Sequence, residues 1–412
     1  MSSRKTKKTL PLAHSFGSTD IPKVIRLLKK GPFSGFLGAP GEAFFGGKEV
    51  RALEKAVAKK FKVRHAVSFN SGTTALQGAM VALEIGPGDE VIVPPYTMSA
   101  TAMAPLLNGA VPIFADIDPR TFCLDPKSVQ KKITKYTKAI IAVNLFGQAA
   151  DYGELIKIAK ENHLYLVEDN AQSIGAKWRG KFTGTIGDLG VLSFNVHKTI
   201  QSGEGGMILT NNDRIALRAQ ACRNHGENVA NIYDVGPIIG SNYRITELSA
   251  LIARLEFERL DLLLRERLAL AKRLERLLSE IEGLELPYVA PGNTHVYFVY
   301  ALKVNEKKLG ISRDKIVERM EKEGFPMSLG YVEPLYLLPV FQKKKAFNDT
   351  PFPFKSDWYH GNPKYSKGIC PVVERLHDKE LTFTFNAAHR YTPEDIDRFA
   401  STLRRIIRNG RK

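Results

Sequence analysis

An alternation constrains this chain more than any other feature: short, almost wholly apolar runs are separated by stretches whose apolar residues recur at helical spacing. Apolar runs of strand length occupy residues 65–69, 90–93, 111–115, 139–143, 165–167 and 190–194, and helical patterns lie at 50–61, 75–83 and 151–161. A strand that is apolar on both faces must be covered on both, so the pattern predicts an α/β fold with a mostly parallel sheet and helices on each side. Residues 21–30 read as a short helix. The glycine-rich stretch 31–47 carries Phe33, Phe36, Leu37, Phe44 and Phe45, too apolar for a free linker. Near Thr246 the character changes to a long helical stretch expected to reach about residue 282. A strand over 295–304, a helix over 312–323 and a last helix after Pro393 follow. The division expected is a flexible basic head (1–20), a large domain (21–255) and a smaller α/β C-terminal domain (256–412), with the boundary inside the long helix.

A chain of 412 residues is long enough to bury a large core in such a division. It has no apolar run approaching the roughly 20 residues that span a bilayer, and its basic start lacks the apolar stretch of a secretory signal. A cytoplasmic protein with no membrane partner is expected. Cys123, Cys222 and Cys370 are scattered without CxxC spacing, which argues against a disulfide framework or a structural zinc site, and no metal is expected. The net charge of +17 is spread along the chain without a nucleic-acid-binding signature. It suits attraction of an anionic small molecule better than nucleic acid.

The chemistry concentrates in a few segments. Lys198 ends Ser193-Phe194-Asn195-Val196-His197-Lys198 and is followed by Gly203-Glu204-Gly205-Gly206. A held, partly deprotonated lysine can attack a carbonyl and form a Schiff base. Glu168 and Asp169 end an apolar strand, where open α/β sheets bind ligands. An acid there suits the protonated pyridine nitrogen of pyridoxal phosphate. Alternation puts the two acids on opposite faces, so only one can meet the ring. Gln172, one turn on, can donate to a ring oxygen. Asn70-Ser71-Gly72-Thr73-Thr74 joins a strand to a helix and offers unpaired N–H groups to a phosphate, and Ser193 is placed to bind the same group. His197 is read as pointing away, Glu204 as organising the lysine loop or a turn, and His225 as a substrate-pocket candidate.

Six segments in order carry a resemblance. They are Asn70-Ser-Gly-Thr-Thr-Ala-Leu76, Gly88-Asp-Glu-Val-Ile-Val-Pro94, Val167-Glu-Asp-Asn-Ala-Gln172, Ser193-Phe-x-x-x-Lys198, Gly203-Glu-Gly-Gly206 and Gly240-Ser-Asn-Tyr-Arg244. From Phe36 to the C-terminal helix the chain resembles the DegT-type (DegT/DnrJ/StrS) sugar aminotransferases, of the aspartate-aminotransferase fold (pyridoxal phosphate fold type I). The resemblance implies pyridoxal 5'-phosphate bound covalently through Lys198, with Asp169 on the pyridine nitrogen and Gln172 on the ring hydroxyl. It also implies that Gly72, Thr73 and Ser193 hold the phosphate, and that Asn242 reaches the phosphate of a neighbouring subunit in a homodimer with shared active sites. The implied reaction moves an amino group from glutamate or glutamine to a keto-sugar, nucleotide-linked, giving an amino sugar. A branch of the family with histidine in place of the lysine dehydrates sugars; Lys198 favours transamination.

Two departures stand out. Met98 occupies the place where the family usually covers the ring with an aromatic side chain, and Tyr96 lies close enough in sequence to compensate. The segment from Cys370 to Asn386 departs from the best-known sugar enzymes, while Tyr331-Val-Glu-Pro-Leu-Tyr336 and Thr294-His-Val-Tyr297 loosely resemble a cyclitol branch. A keto-cyclitol aminotransferase is therefore the alternative enzyme. A regulator that binds pyridoxal phosphate and contacts nucleic acid through its basic head is the alternative of another class.

Overall fold

The computed structural model describes residues 17–227, 234–387 and 389–410; most of the expected basic head lies outside them. The central sheet is built from β1 (His65–Phe69), β2 (Glu90–Val93), β3 (Val111–Phe114), β4 (Thr137–Val143), β5 (Tyr165–Asp169), β8 (Leu189–Ser193) and β9 (Gly206–Thr210). A small hairpin, β6 (Lys177–Trp178) and β7 (Lys181–Phe182), lies between β5 and β8 in the chain. The sheet order is β1-β9-β8-β5-β4-β2-β3. The pairings from β3 through β2, β4 and β5 to β8 are parallel, and β9 runs antiparallel to both its neighbours. Nearly every strand residue is buried, as strands covered on both faces require.

The longer helices of this region are α1 (Ile21–Lys30), α2 (Lys48–Phe61), α3 (Gly72–Ala82), α4 (Ala100–Leu107), α5 (Tyr152–Glu161) and α6 (Asp213–Arg223). In α2 the apolar stripe Val50, Leu53, Val57 and Phe61 is wholly buried, as its spacing predicts. In the glycine-rich stretch before it, Phe36 and Phe44 are buried while Phe33 and Leu37 are exposed.

β9 has a physical condition attached. It pairs Gly206 with Phe69 on one side and with Ser193 on the other. A Cβ on Gly206 would lie 2.2 Å from Ser71 O and 2.6 Å from Gly72 N. The strand can enter only because this residue has no side chain.

The expected long helix is two helices, α7 (Glu247–Phe257) and α8 (Leu260–Leu278). Thr246 caps the first through its side chain, which accepts from Ser249 N–H. Arg259 leaves helical geometry at φ −103°, ψ 6°. Its guanidinium is used on Leu255 O at 3.0 Å and on Asp20. The expected strand over 295–304 is shorter, beginning only at Tyr300, because Tyr297 takes φ +47° and Val296 N–H is drawn to Gly147 O at 2.7 Å.

A second, three-stranded antiparallel sheet follows, in the order β10 (Leu284–Glu285), β11 (Tyr300–Val304), β12 (Leu381–Thr384). It shares a core with α8, α9 (Arg313–Lys322) and α10 (Pro393–Gly410), including Leu274, Leu302, Met320, Phe399 and Leu403. Between α9 and β12 the chain returns to the large sheet. Tyr336, Phe341, Phe354, Tyr359 and Tyr365 belong to the same core as Phe114 and Ile140. Tyr359 Oη donates to buried Glu90 at 2.6 Å, and Tyr365 Oη to Pro112 O at 2.9 Å.

Gly206→Ala is expected to destabilise the protein by about 1–3 kcal/mol, the scale of overpacking a filled interior. Urea unfolding measures it, and a loss below ~0.5 kcal/mol would mean the β9 contact is looser than described.

Candidate active site

The site forms where the ends of β1, β5, β8 and β9 meet the start of α3. Phe69, Gly206 and Ser193 lie side by side across three strands. The turn after β1 therefore arrives beside the end of β8. A Cβ on Gly72 would stand 2.9 Å from Ser193 Cβ, so two phosphate candidates far apart in the chain are in contact. Ser71 caps α3: its Oγ accepts Thr74 N–H at 3.1 Å, and Thr74 Oγ1 accepts Ser71 N–H at 3.2 Å. Ala75 N–H goes to Ser71 O. The first N–H groups of the helix, on Gly72 and Thr73, have no partner inside it, and Thr73 is exposed. A turn with free N–H groups, a positive helix end and the adjacent Ser193 hydroxyl fits a phosphate.

The structure separates the two acids. Glu168 points away from the site and is fully buried; its carboxylate accepts N–H groups from Gly184 at 2.7 Å, Ile186 at 2.5 Å and Gly187 at 2.8 Å. It anchors the loop between β7 and β8. Burial raises its pKa, and the three amides and Tyr152 pull the other way. Asp169 is buried on the opposite face. It accepts from Thr101 Oγ1 at 2.8 Å and from Ala171 N–H at 3.1 Å. Burial pushes its carboxyl up, against the Thr101 and Ala171 hydrogen bonds and the charge of Lys198. A buried acid with two neutral donors and a lysine nearby suits a protonated ring nitrogen.

Lys198 lies in a loop stapled to itself. Phe194 N–H donates to Gly205 O, Val196 N–H to Gly203 O, Lys198 N–H to Asn195 O and Ser202 N–H to Phe194 O, all at 2.8–2.9 Å. Glu204 accepts from Asn195 Nδ2 at 2.9 Å, which serves the loop-organising role read from the sequence. Lys198 Nζ sits 4.8 Å above the centre of the Phe298 ring. Burial lowers its pKa, and Asp169 opposes that. The amine is thus biased toward the neutral, nucleophilic form. His197 is exposed, as is His225, and neither touches Lys198 through a hydrogen bond among the described residues.

Gln172 is buried and held at both ends, accepting Phe146 N–H at 3.0 Å and donating to Tyr331 Oη at 3.0 Å. Met98, at 59% exposure, stands free at the start of α4. Tyr96 does not compensate for it: it is wholly enclosed by protein, and its hydroxyl accepts Tyr331 N–H at 2.7 Å. An enclosed ring has no face left for a cofactor. Asn242 is exposed beside the phosphate turn of its own chain, its carbonyl accepting from Asn70 Nδ2 at 3.3 Å. Thr101, Phe298 and Tyr331 are missed by sequence reasoning. Thr101 and Phe298 belong to no motif, Tyr331 opens a segment singled out only for a loose cyclitol-branch resemblance, and each reaches the site through the fold.

The chain is similar to known proteins in sequence and in fold. A model of the DegT/DnrJ/EryC1/StrS aminotransferase family matches residues 39–366. The chain is 38% identical over 299 residues to the GDP-perosamine synthase of Caulobacter vibrioides, covering 72% of this chain and 79% of that protein. It is 34% identical over 366 residues to a UDP-N-acetyl-3-dehydro-alpha-D-glucosamine 3-aminotransferase of Acidithiobacillus ferrooxidans, covering 89% and 90%. The solved structure of an aminotransferase from Psychrobacter cryohalolentis superposes with a TM-score of 0.83 at 27% identity, over 98% of this chain and all (100%) of that one.

The lowered pKa of Lys198 makes a prediction for the cofactor-free protein. Lysine titrates near 10.5 when unperturbed and lower here, so between the two values the unfolded chain holds more protons and stability rises with pH. Lys198→Met removes that penalty. The variant is expected to be more stable at pH 7 by about 1 kcal/mol, the scale of burying a polar group without full partners. The advantage should shrink as pH approaches 10.5. Melting curves at the two pH values check it; a variant that melts lower than wild type at pH 7 contradicts the burial of the amine.

Proposed function

Because this chain belongs to the DegT/DnrJ/EryC1/StrS aminotransferase family, we propose that it is a pyridoxal 5'-phosphate-dependent enzyme that moves an amino group from glutamate or glutamine onto a nucleotide-linked keto-sugar. The observation that carries this reading is that Lys198 lies within electrostatic reach of buried Asp169, near the contact of Gly72 with Ser193. When bound, pyridoxal phosphate supplies an aldehyde that takes up the amino group and a ring that draws electrons from the neighbouring carbon.

Each residue has a defined task. The N–H groups of Gly72 and Thr73 and the hydroxyl of Ser193 bind the phosphate. Lys198 would hold the cofactor through its amine and, when free, would move a proton at Nζ as general base and acid. Asp169 holds the proton on the ring nitrogen, and Gln172 donates an N–H to the ring oxygen. Met98 covers the ring face through its sulfur and methyl. Its exposure in the single chain leaves it free to do so. The acceptor class is supported by the GDP- and UDP-linked sugars in the names of the two relatives. The net charge of +17 suits an anionic diphosphate.

Incubation with 15N-labelled glutamate or glutamine and a panel of nucleotide-linked keto-sugars tests the reading. The label is expected in an amino sugar, and borohydride should fix the cofactor to the Lys198 peptide. Cofactor on another lysine contradicts the site, and an absence of label in every sugar contradicts the substrate class.

Two copies of the chain are proposed to share their sites. Exposed Asn242, with Ile239 at 88% and Leu37 at 60% exposure in the same neighbourhood, supports an interface there. Lys198→Ala and Asn242→Asp are each expected to be inactive as homodimers, the second through a carboxylate beside the phosphate. In a mixed dimer one site collects both defects and the other neither, so about half the wild-type activity should return. No recovery in a verified heterodimer would mean that Asn242 acts within its own chain.

A further inference from the structure

The orientation of the Gln172 amide is fixed from the far end of the chain. A backbone N–H can only donate, so it settles which end of an amide is the oxygen, while a tyrosine hydroxyl can serve either end and settles only its direction. Here Phe146 N–H commits the oxygen at 3.0 Å, and Tyr331 Oη accepts one Nε2 hydrogen at 3.0 Å. The second Nε2 hydrogen is left to offer. Tyr331 is itself tightly placed. Its ring meets those of Tyr96 at 5.9 Å, Phe146 at 5.2 Å and Phe383 at 5.9 Å, each edge to face. Its backbone N–H donates to Tyr96 Oη at 2.7 Å.

Behind Tyr96 stands a π-helical turn, Leu376–Glu380, a rare conformation that recurs near functional sites. The His377 ring of that turn meets Tyr96 edge-on at 6.0 Å. Buried Arg313, at the start of α9, gathers its carbonyls: Nη1 donates to His377 O at 2.5 Å and Leu381 O at 3.2 Å, and Nη2 to Asp378 O at 2.8 Å. A continuous set of contacts thus runs from Arg313 to Gln172.

We propose that Tyr331 is a positioning residue for this aminotransferase, holding the Gln172 amide, whose polarity Phe146 N–H sets, in the orientation that aims its second Nε2 hydrogen at the ring oxygen of the cofactor. This rests on the cofactor reading above. An N–H in that place stabilises negative charge on the ring oxygen. Tyr331→Phe keeps the ring contacts and deletes only the acceptor.

The test uses the full-length protein in two states. In the cofactor-free state, 15N-glutamine labelling reports the Gln172 side-chain amide, identified by its loss in Gln172→Glu. Tyr331→Phe is expected to move that signal to the position of a solvated amide. In the loaded enzyme, the pH midpoint of the lysine-linked cofactor absorbance is read. A ring oxygen without its donor is a better base, so the midpoint should rise in Tyr331→Phe by about half a pH unit or more, the size of one hydrogen bond. Cofactor affinity should fall several-fold. In a Gln172→Ala background Tyr331→Phe should change neither quantity further, because the two residues act as one unit. An unmoved amide signal, an unmoved midpoint, or the same shift in the Gln172→Ala background each overturns the positioning role. Failure of wild-type protein to take up any pyridoxal phosphate instead overturns the cofactor reading, and the two failures are told apart by the wild-type spectrum.

Discussion

The close approach of β9 to the turn after β1 is the constraint on which the site depends. With Gly206 lying against Ser71 O and Gly72 N, the strand slots between β1 and β8 and brings Phe69, Gly206 and Ser193 into one row. That row sets the proposed phosphate cradle, and the loop between β8 and β9 carries Lys198. The glycines of the Gly203–Gly206 motif are therefore a packing requirement first. The placement of the chemistry follows from it.

A second constraint is electrostatic. β5 ends in two acids, and the fold uses them in opposite ways. Glu168 is surrounded by three backbone amides, so its charge is satisfied locally and it serves structure. Asp169 receives one hydroxyl and one amide and faces the lysine. Its remaining demand for positive charge is available to a ligand. The same burial that raises the Asp169 pKa lowers that of Lys198, so one dry pocket prepares an acid and a base together.

Much of this was legible in the residues. Strands apolar on both faces announced themselves, and the bounds read at 65–69 and 90–93 are those observed. β9 was not legible, because its leading glycines read as a turn and its pairing is decided by what a missing Cβ permits. Nor was the return of residues 335–376 to the large core. Tyr336, Phe341, Phe354, Tyr359 and Tyr365 are irregularly spaced, and no period marks them. In the site, the motifs brought out Lys198, Asp169, Gln172, Gly72 and Ser193. Alternation says that Glu168 and Asp169 part company without saying which turns inward. Tyr96 looked able to stand in for an aromatic lid, but its hydroxyl is committed to Tyr331 N–H and its ring to the interior. Thr101 and Phe298 had no local signature, and the segment that Tyr331 opens carried only a loose resemblance to a cyclitol branch; each is recruited by tertiary packing.

The course of the chain after α8 has a mechanical consequence. The polypeptide leaves the large core near the break at Glu258–Arg259, builds most of the three-stranded sheet, goes back through Tyr336 to Tyr365, and leaves again for β12 and α10. The outer sheet is thus moored by several crossings and has no single tether. A chain severed at the helix break would strip Phe114 of its neighbours Tyr336, Phe341 and Tyr365, and neither fragment would inherit a closed interior.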